Sequence, residues 1–452
     1  MLAPSWRVSM WLLFIFALVI FLLTCHRFPG EVDVKKFSSG IFDADVKRVV
    51  ENITSWQSST DRLRVHPLFF ALITPVSLAL GKLINVDAFA NAQITCCLGI
   101  LAQLFLVMVL AKKLASGSPL AAPIAGTLFI TSFSAGLFSV IPETCSWSGI
   151  SGLLPMLLCA YQSDKRMSLG EMLLWAVLVP LTFGYTVTQV SFWFIGFFFR
   201  ALSSVRLGRR ALGMTVLGGG LAFFLGAFIT WNLMHWEQSL NNALTWPTWQ
   251  KIFHDEKQYS RPLELSAITW AKVSGVMKQM LIYPFVPPVP GYSRLVLSLG
   301  YFSLSLEEAN PQHQAMTLNY FRLLATTFIF LPLITVRLLD LRIAAVAVGV
   351  LSQIVLHCFY GREFILYSLN WLGLLAVLVS VGTTRWKGRL GGLWMAGLFI
   401  VIPNFMIHNA ALYRRIVAEV SFGLESDRRD ANGNPSIELS SSEIWRALEG
   451  RR

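Results

Sequence analysis

Two acidic residues near the N-terminus are the first candidates for chemistry. Asp43 and Asp45 lie in the polar segment 40–50, and either carboxylate could take a proton from an attacking hydroxyl or amine as a general base. Residues two apart point the same way on a strand but diverge on a helix, so only one of the pair is expected to face a substrate. Asp45 is the first choice and Asp43 the second, and a solvated acidic turn is the alternative.

A basic segment follows a short distance along the chain. Arg62, Arg64 and His66 precede Pro67 and an apolar run. Proline is favoured at the first position of a helix, where free backbone N–H groups attract anions. The segment is therefore expected to bind a phosphate, with Arg64 and His66 ahead of Arg62. Contact with lipid headgroups is the alternative.

Two further charged residues stand at the ends of apolar runs. Glu143 follows Pro142, and an acidic residue in such a place more often faces a water-filled cavity than lipid. Glu143 is therefore expected to line the same site, with a structural helix cap as the alternative. Arg362 stands beside Glu363 between two later apolar runs, where a phosphate contact and a local ion pair are both open.

The basic residues show which elements must position these side chains. Six short stretches between apolar runs carry 14 Lys or Arg and two Asp, which accounts for the whole net charge of +12. Lys and Arg collect in the cytoplasmic loops of membrane proteins, so the charge indicates a topology and not a nucleic-acid surface. The stretches are 1–9, 112–118, 164–170, 200–210, 337–342 and 384–390.

The composition agrees with this topology, since 55% of the residues are hydrophobic and only 14% are charged. One soluble core of this length could not bury so much apolar surface. The sequence predicts an all-α, polytopic transmembrane helical protein with about eleven spans and with outer-face loops that carry interfacial helices. The predicted spans are 10–25, 92–111, 119–141, 148–162, 171–184, 185–199, 211–233, 318–337, 341–358, 364–382 and 391–408.

The apolar stretch 171–199 has two possible topologies. Pro180 and Gly184 interrupt it, and each half is shorter than the roughly 20 residues that a spanning helix needs. Lys165 and Arg166 precede the stretch and four arginines follow it, so both ends belong on the cytoplasmic side. A hairpin of two short spans is therefore predicted, because a single helix would place the four arginines outside.

This topology divides the chain into four parts and places every candidate residue on the outer side of the membrane. They are an N-terminal transmembrane module at 1–233 that includes a first outer loop at 26–91, an outer region at 234–317, C-terminal transmembrane helices at 318–408, and an outer-face tail at 409–452.

The order of these parts resembles the GT-C superfamily of polytopic glycosyltransferases, which includes the protein O-mannosyltransferases and the aminoarabinose transferases of lipid A. A first span precedes a long outer loop with Asp43 or Asp45, and His66-Pro67 then opens a surface helix. A span ending in Lys112-Lys113 follows, and the second outer loop contains Glu143. The strings Phe-Asp-Ala-Asp and Val-His-Pro-Leu-Phe resemble a bacterial branch. The resemblance covers roughly residues 1–230 by motif and the remainder by layout alone.

The resemblance implies an enzyme that takes a sugar from a polyprenyl-phosphate donor and passes it to an envelope glycan, lipid or protein. A carboxylate would orient or deprotonate the acceptor, and cations would neutralise the departing lipid phosphate. Some members of the superfamily need a divalent cation, so a role for Mg²⁺ or Mn²⁺ is open and no other cofactor is expected. The implied location is a bacterial inner membrane, with a cytoplasmic N-terminus and a periplasmic C-terminus, among membrane lipids and without nucleic acid.

Two other classes of protein fit the sequence. A secondary transporter or a lipid-linked sugar flippase would also place polar residues among many spans, and Thr186, Thr188 and Gln189 in the short hairpin favour it. A non-catalytic membrane scaffold is the third class. ATP-driven transport is not expected, because the chain has no phosphate-binding GxxxxGK[ST] motif.

Overall fold

The computed structural model describes residues 4–31, 46–55, 66, 68–186, 189–241, 270–285, 291–292, 304–305, 324–359, 367–386 and 388–430. Five candidates from the sequence, namely Asp43, Asp45, Arg62, Arg64 and Arg362, lie outside these ranges. The structure therefore describes the surroundings of two predicted site residues, His66 and Glu143.

The described chain is almost entirely helical, which confirms the all-α class. One antiparallel pair of two-residue strands, β1 (Gly291–Tyr292) and β2 (Leu304–Ser305), is the exception within the described residues. The helices are α1 (Pro4–Glu31), α2 (Val46–Thr54), α3 (Phe69–Ile84), α4 (Ala88–Leu114), α5 (Ala121–Ile130), α6 (Phe133–Val140), α7 (Cys145–Gln162), α8 (Leu169–Tyr185), α9 (Val190–Ser204), α10 (Arg209–Asn241), α11 (Trp270–Leu281), α12 (Leu324–Thr335), α13 (Leu341–Phe359), α14 (Leu369–Thr383) and α15 (Gly388–Asp430).

Several of these helices are long and apolar enough to cross a membrane, so the chain is an integral membrane protein. Six described helices meet that test individually, and the number becomes seven if the bent pair α5 and α6 is one span. Helices α8, α12 and α14 and most of α3 are apolar but shorter. The total of about eleven spans stays a prediction.

The span predicted for 119–141 is not one continuous helix, and its crossing of the membrane stays a prediction. The structure divides it into α5 and α6, whose axes differ by 60°. Thr131 and Ser132 cause the break, because their hydroxyls donate to the carbonyls of Thr127 (2.7 Å) and Phe129 (2.6 Å). Ser132 then caps the next helix by accepting from the Ala135 N–H at 3.2 Å. Side chains that bond locally to the backbone in this way end one helix and begin another.

The hairpin predicted for 171–199 is present as α8 and α9. The Trp193 Nε1–H donates to the Trp175 carbonyl at 2.8 Å, although the two residues lie on different helices. At the open end of the hairpin, Arg200 donates to Glu171 at 2.7 Å and to the Lys165 carbonyl at 2.9 Å. The chain therefore folds back on itself, and its two basic flanks lie together as the charge pattern indicated.

The core of the bundle contains helices that are buried on every side. All residues of α5, α6 and α14 are buried. Because these helices are buried around their whole circumference, they lie inside the bundle and not at its lipid-facing surface. Helix α7 packs beside this core and, at 18 residues, is about 27 Å long. Sites at the two ends of α7 are therefore separated by about the length of this helix.

Candidate functional site

Glu143 lies in the short connection between α6 and α7 and is only 1% exposed. Its Oε1 accepts two hydrogen bonds from Thr144, one from the backbone N–H and one from the hydroxyl, both at 2.7 Å. The position at the N-terminus of α7 also favours a negative charge, because the helix dipole presents its positive end there. The structure therefore holds a buried carboxylate at one end of a core helix.

His66 is 8% exposed and lies beside the same threonine. Its Nε2 is 3.3 Å from the Thr144 hydroxyl oxygen. On the other side of the ring, Nδ1 contacts the Tyr185 carbonyl and lies 2.9 Å from the Thr186 hydroxyl oxygen. A carbonyl only accepts hydrogen bonds, so Nδ1 carries a proton and donates it.

The three side chains of His66, Thr144 and Glu143, here called the relay, permit two proton arrangements. A threonine hydroxyl has one proton to donate. If Thr144 donates to His66 Nε2, the imidazole is neutral. If it donates to Glu143, a proton on Nε2 makes the imidazolium, which donates to the Thr144 oxygen. The relay can therefore hold a cation and an anion separated by one hydroxyl, and can exchange a proton between them.

Close packing between α8 and the chain around His66 positions the imidazole. The Leu68 N–H donates to the Gly184 carbonyl at 3.0 Å. A methyl group at Gly184 would come within 2.5 Å of the Leu68 Cβ, so only glycine permits this approach. The helix interruption noted in the sequence thus serves to bring the His66 turn against the end of α8.

Helix α4 positions the opposite side of the relay. Gln93 donates to the Val140 carbonyl at 2.7 Å, Gln103 to the Ser146 carbonyl at 2.7 Å, and Trp147 to the Thr95 carbonyl at 3.0 Å. These bonds join α4 to both sides of the connection that carries Glu143. A buried hydrogen-bond network of this kind fixes the backbone on which the carboxylate stands.

The amphipathic helix α2 forms a wall beside the relay. Val49 and Ile53 pack in one buried cluster with Phe69 and Tyr185. The Phe69 ring also contacts the His66 ring, at 6.3 Å between centroids. Thr74 on α3 donates to the Asn52 carbonyl at 2.8 Å and holds α2 in place. Helix α2 begins at Val46, directly after Asp45.

His66 and Glu143, which the sequence analysis expected to line the same site, lie on either side of Thr144. Thr144 and Thr186 complete the site, and sequence reasoning gave neither of them a role in it. The sequence feature that could have indicated Thr144 is its position between Glu143 and the start of α7, where a hydroxyl residue commonly caps a helix. Thr186 had only the weaker signal of a polar residue between two apolar runs.

A metal site is absent from the part of the chain that the structure describes, since no three His, Cys, Asp or Glu side chains there are grouped to hold an ion. Comparison with known proteins adds no assignment. The chain matches no protein-family model, no curated protein and no solved structure.

Proposed function

We propose that the chain is a membrane glycosyltransferase that moves a sugar from a polyprenyl-phosphate donor to an envelope glycan, lipid or protein on the outer face of a bacterial inner membrane. The observation that carries the proposal is the buried relay of His66, Thr144 and Glu143. Ionisable side chains buried among apolar helices are costly to fold, and in membrane helices they commonly mark functional sites.

The position of α2 connects the relay to the candidate base. Helix α2 packs against Phe69 and Tyr185, and its N-terminal residue Val46 packs in the main core. Asp45 immediately precedes that residue and Asp43 stands two positions earlier. This arrangement supports a common site for the acidic and basic candidates of the first outer segment.

The proposed reaction is a displacement at the anomeric carbon of the donor sugar. The acceptor oxygen forms a bond to that carbon while Asp45 takes the acceptor proton. The bond between the anomeric carbon and the phosphate oxygen breaks, and its electron pair leaves with the polyprenyl phosphate. Arg62, Arg64 and an imidazolium at His66 neutralise the charge on that phosphate, while Glu143 stabilises the imidazolium through Thr144. Arg362 is a further phosphate contact in this proposal.

The test is release of polyprenyl phosphate by the purified protein in nanodiscs, with a panel of polyprenyl-phosphate sugars and an envelope extract as acceptor. Wild type is expected to release the lipid phosphate, and Asp45→Asn is expected to lose about 10²-fold or more of that rate. Glu51→Gln removes an exposed carboxylate from α2 and serves as the matched control. Release from none of the donors would contradict the proposal.

A second candidate function is secondary transport or flipping of a lipid-linked sugar. The bent pair α5 and α6 favours it, because transporters often use discontinuous helices around their substrate. Gln353 on α13 favours it too, since this residue is 1% exposed and neither of its amide atoms has a hydrogen-bond partner among the described residues. Movement of a fluorescent polyprenyl-phosphate sugar between leaflets of a proteoliposome, without release of its phosphate, would support transport over transfer.

A further inference from the structure

A cavity of about 360 Å³ opens at the end of the molecule opposite the relay, where α7 ends. It is formed where four connections meet, namely those after α7 and α9, before α13, and after α14. The charged residues that line it are Asp164, Arg206, Arg337, Asp340, Arg342 and Arg385. This group is here called the basic pocket.

Both acids of the basic pocket are engaged by the same arginine. Arg342 donates from Nε and Nη2 to the two carboxylate oxygens of Asp340, at 2.9 and 2.8 Å. Its Nη1 lies 3.7 Å from a carboxylate oxygen of Asp164. Arg342 therefore pairs with both carboxylates. Its contact with Asp340 is bidentate, which is the strong form of an arginine–carboxylate pair.

The other three arginines line the cavity without a carboxylate partner among the described residues. Within the described residues, Arg206, Arg337 and Arg385 form no ion pair. Burial and then the nearby Arg337 lower the pKa of Arg385, while Asp340 opposes the shift by a smaller amount, so the two guanidinium groups are close enough to repel each other. Bringing like charges together is unfavourable unless an anion lies between them.

A hydrogen bond to the neighbouring backbone holds the Arg385 guanidinium in place. Its Nη1 donates to the Thr335 carbonyl at 3.1 Å. The Trp386 indole donates to the Thr335 hydroxyl at 3.1 Å, and that hydroxyl donates to the Gly382 carbonyl at 3.0 Å. The remaining N–H groups of the Arg385 guanidinium have no acceptor within the described part of the chain, and a fixed planar fork suits the oxygens of a phosphate.

We propose that the basic pocket binds a phosphate group. The cavity volume falls in the range of small-ligand sites, roughly 300 to 1,000 Å³, so it can hold a phosphate with part of whatever carries it. Two sources share this chemistry, namely the headgroup of a phosphomonoester lipid and free phosphate from solution. The inference does not depend on the proposed transferase, because it concerns other residues at the other end of the bundle.

The test measures ligand binding by the full chain in nanodiscs. Retention of phosphatidic acid is measured by native mass spectrometry after nanodiscs are prepared from phosphatidylcholine with and without this lipid. Binding of inorganic phosphate is measured by calorimetry in phosphatidylcholine nanodiscs. Arg385→Gln is expected to weaken binding about tenfold or more, because a charge-assisted hydrogen bond is lost. Arg337→Gln is also expected to weaken binding. Because Arg337 is exposed, this second variant should fold normally even if Arg385→Gln does not.

The matched control is Arg389→Gln, which removes an exposed arginine from the start of α15 without touching the pocket lining. It is expected to change either affinity less than twofold, as loss of a distant surface charge does. Retention of phosphatidic acid alone would identify a lipid headgroup as the source, and calorimetric binding of phosphate would identify the soluble ion. Binding of neither probe would overturn the proposal, as would an equal loss in Arg389→Gln and Arg385→Gln.

Discussion

Two buried carboxylates in this molecule have different surroundings. Glu171, at the open end of the α8–α9 hairpin, is 2% exposed and forms an ion pair with fully buried Arg200 through contacts at 2.7 and 3.1 Å. Glu143 is 1% exposed and accepts from the backbone and hydroxyl of Thr144, which links it to His66. The first carboxylate contacts a cation directly, whereas the second is joined to an imidazole through one hydroxyl.

In the proposed function, this contrast distinguishes Glu171 as a structural acid from Glu143 as a reacting one, although both are buried. A fully compensated ion pair holds two helices together and has no further chemistry to perform. In the proposed function, Glu143 acts on the leaving phosphate through Thr144 and the His66 imidazole.

The largest expected effect is on stability, in Arg200→Met. The change leaves Glu171 buried without its cation, which should cost about 3 to 5 kcal/mol of the free energy of unfolding. Unfolding in mixed micelles with increasing sodium dodecyl sulfate measures this loss. Polyprenyl-phosphate release per folded molecule should remain close to wild type, and a specific loss of turnover in the folded fraction would place Glu171 in the chemistry instead.

The next effect is on activity, in Thr144→Val. Valine keeps the shape of the side chain but removes the hydroxyl that joins His66 to Glu143, so the release rate should fall about 10²-fold. Thr144→Ser is the matched control, because it restores the hydroxyl and should recover most of the rate. Equal activity in the valine and serine variants would mean that no proton passes through residue 144.

A smaller effect is expected from Gly184→Ala. The added methyl group would push Leu68 away and shift the His66 turn, at a cost of about 1 to 3 kcal/mol for overpacking. The release rate should fall about tenfold because the imidazole is misplaced. Gly220→Ala is the control, since a methyl group there meets nothing within 4 Å. A fall of similar size in Gly220→Ala would attribute the loss to general perturbation of the bundle.

The smallest effect concerns pH and the basic pocket. Burial alone would raise the pKa of Asp340, but hydrogen bonds and charge from Arg342 lower it overall from 3.8. The unfolded chain therefore binds this proton more readily, so the stabilising contribution is full above about pH 5 and is lost as the pH falls below 3.8. It should amount to less than about 1 kcal/mol, as for other partly exposed pairs. Asp340→Asn should remove that part of the acid dependence, and an unchanged profile would contradict the assignment.

Charge and hydropathy were enough to predict the helical class and the α8–α9 hairpin. The hairpin followed from basic residues at both ends of one apolar stretch, and the contact of Arg200 with the Lys165 carbonyl shows those ends together. The break between α5 and α6 was missed, because hydropathy does not register hydroxyls that bond to their own backbone. Thr131 and Ser132 look like ordinary small polar residues within an apolar run.

The candidate site was predictable as separate residues but not as an arrangement. His66 was proposed from the proline that follows it, and Glu143 from its place at the end of an apolar run. Their connection through Thr144, and the support of His66 by Tyr185 and Thr186 on a third segment, depend on tertiary packing over long sequence separations. No local pattern encodes such contacts, although Gly184 marked the place of close approach.

The central claim is that Glu143 belongs to a reacting site whereas Glu171 belongs to the scaffold. The most direct test compares the rate of polyprenyl-phosphate release, per folded molecule, in wild type, Glu143→Gln and the control Glu51→Gln. Glu143→Gln should fold and retain at most about 1% of the wild-type rate, while Glu51→Gln should match wild type. A folded Glu143→Gln that releases polyprenyl phosphate as fast as wild type would contradict the account.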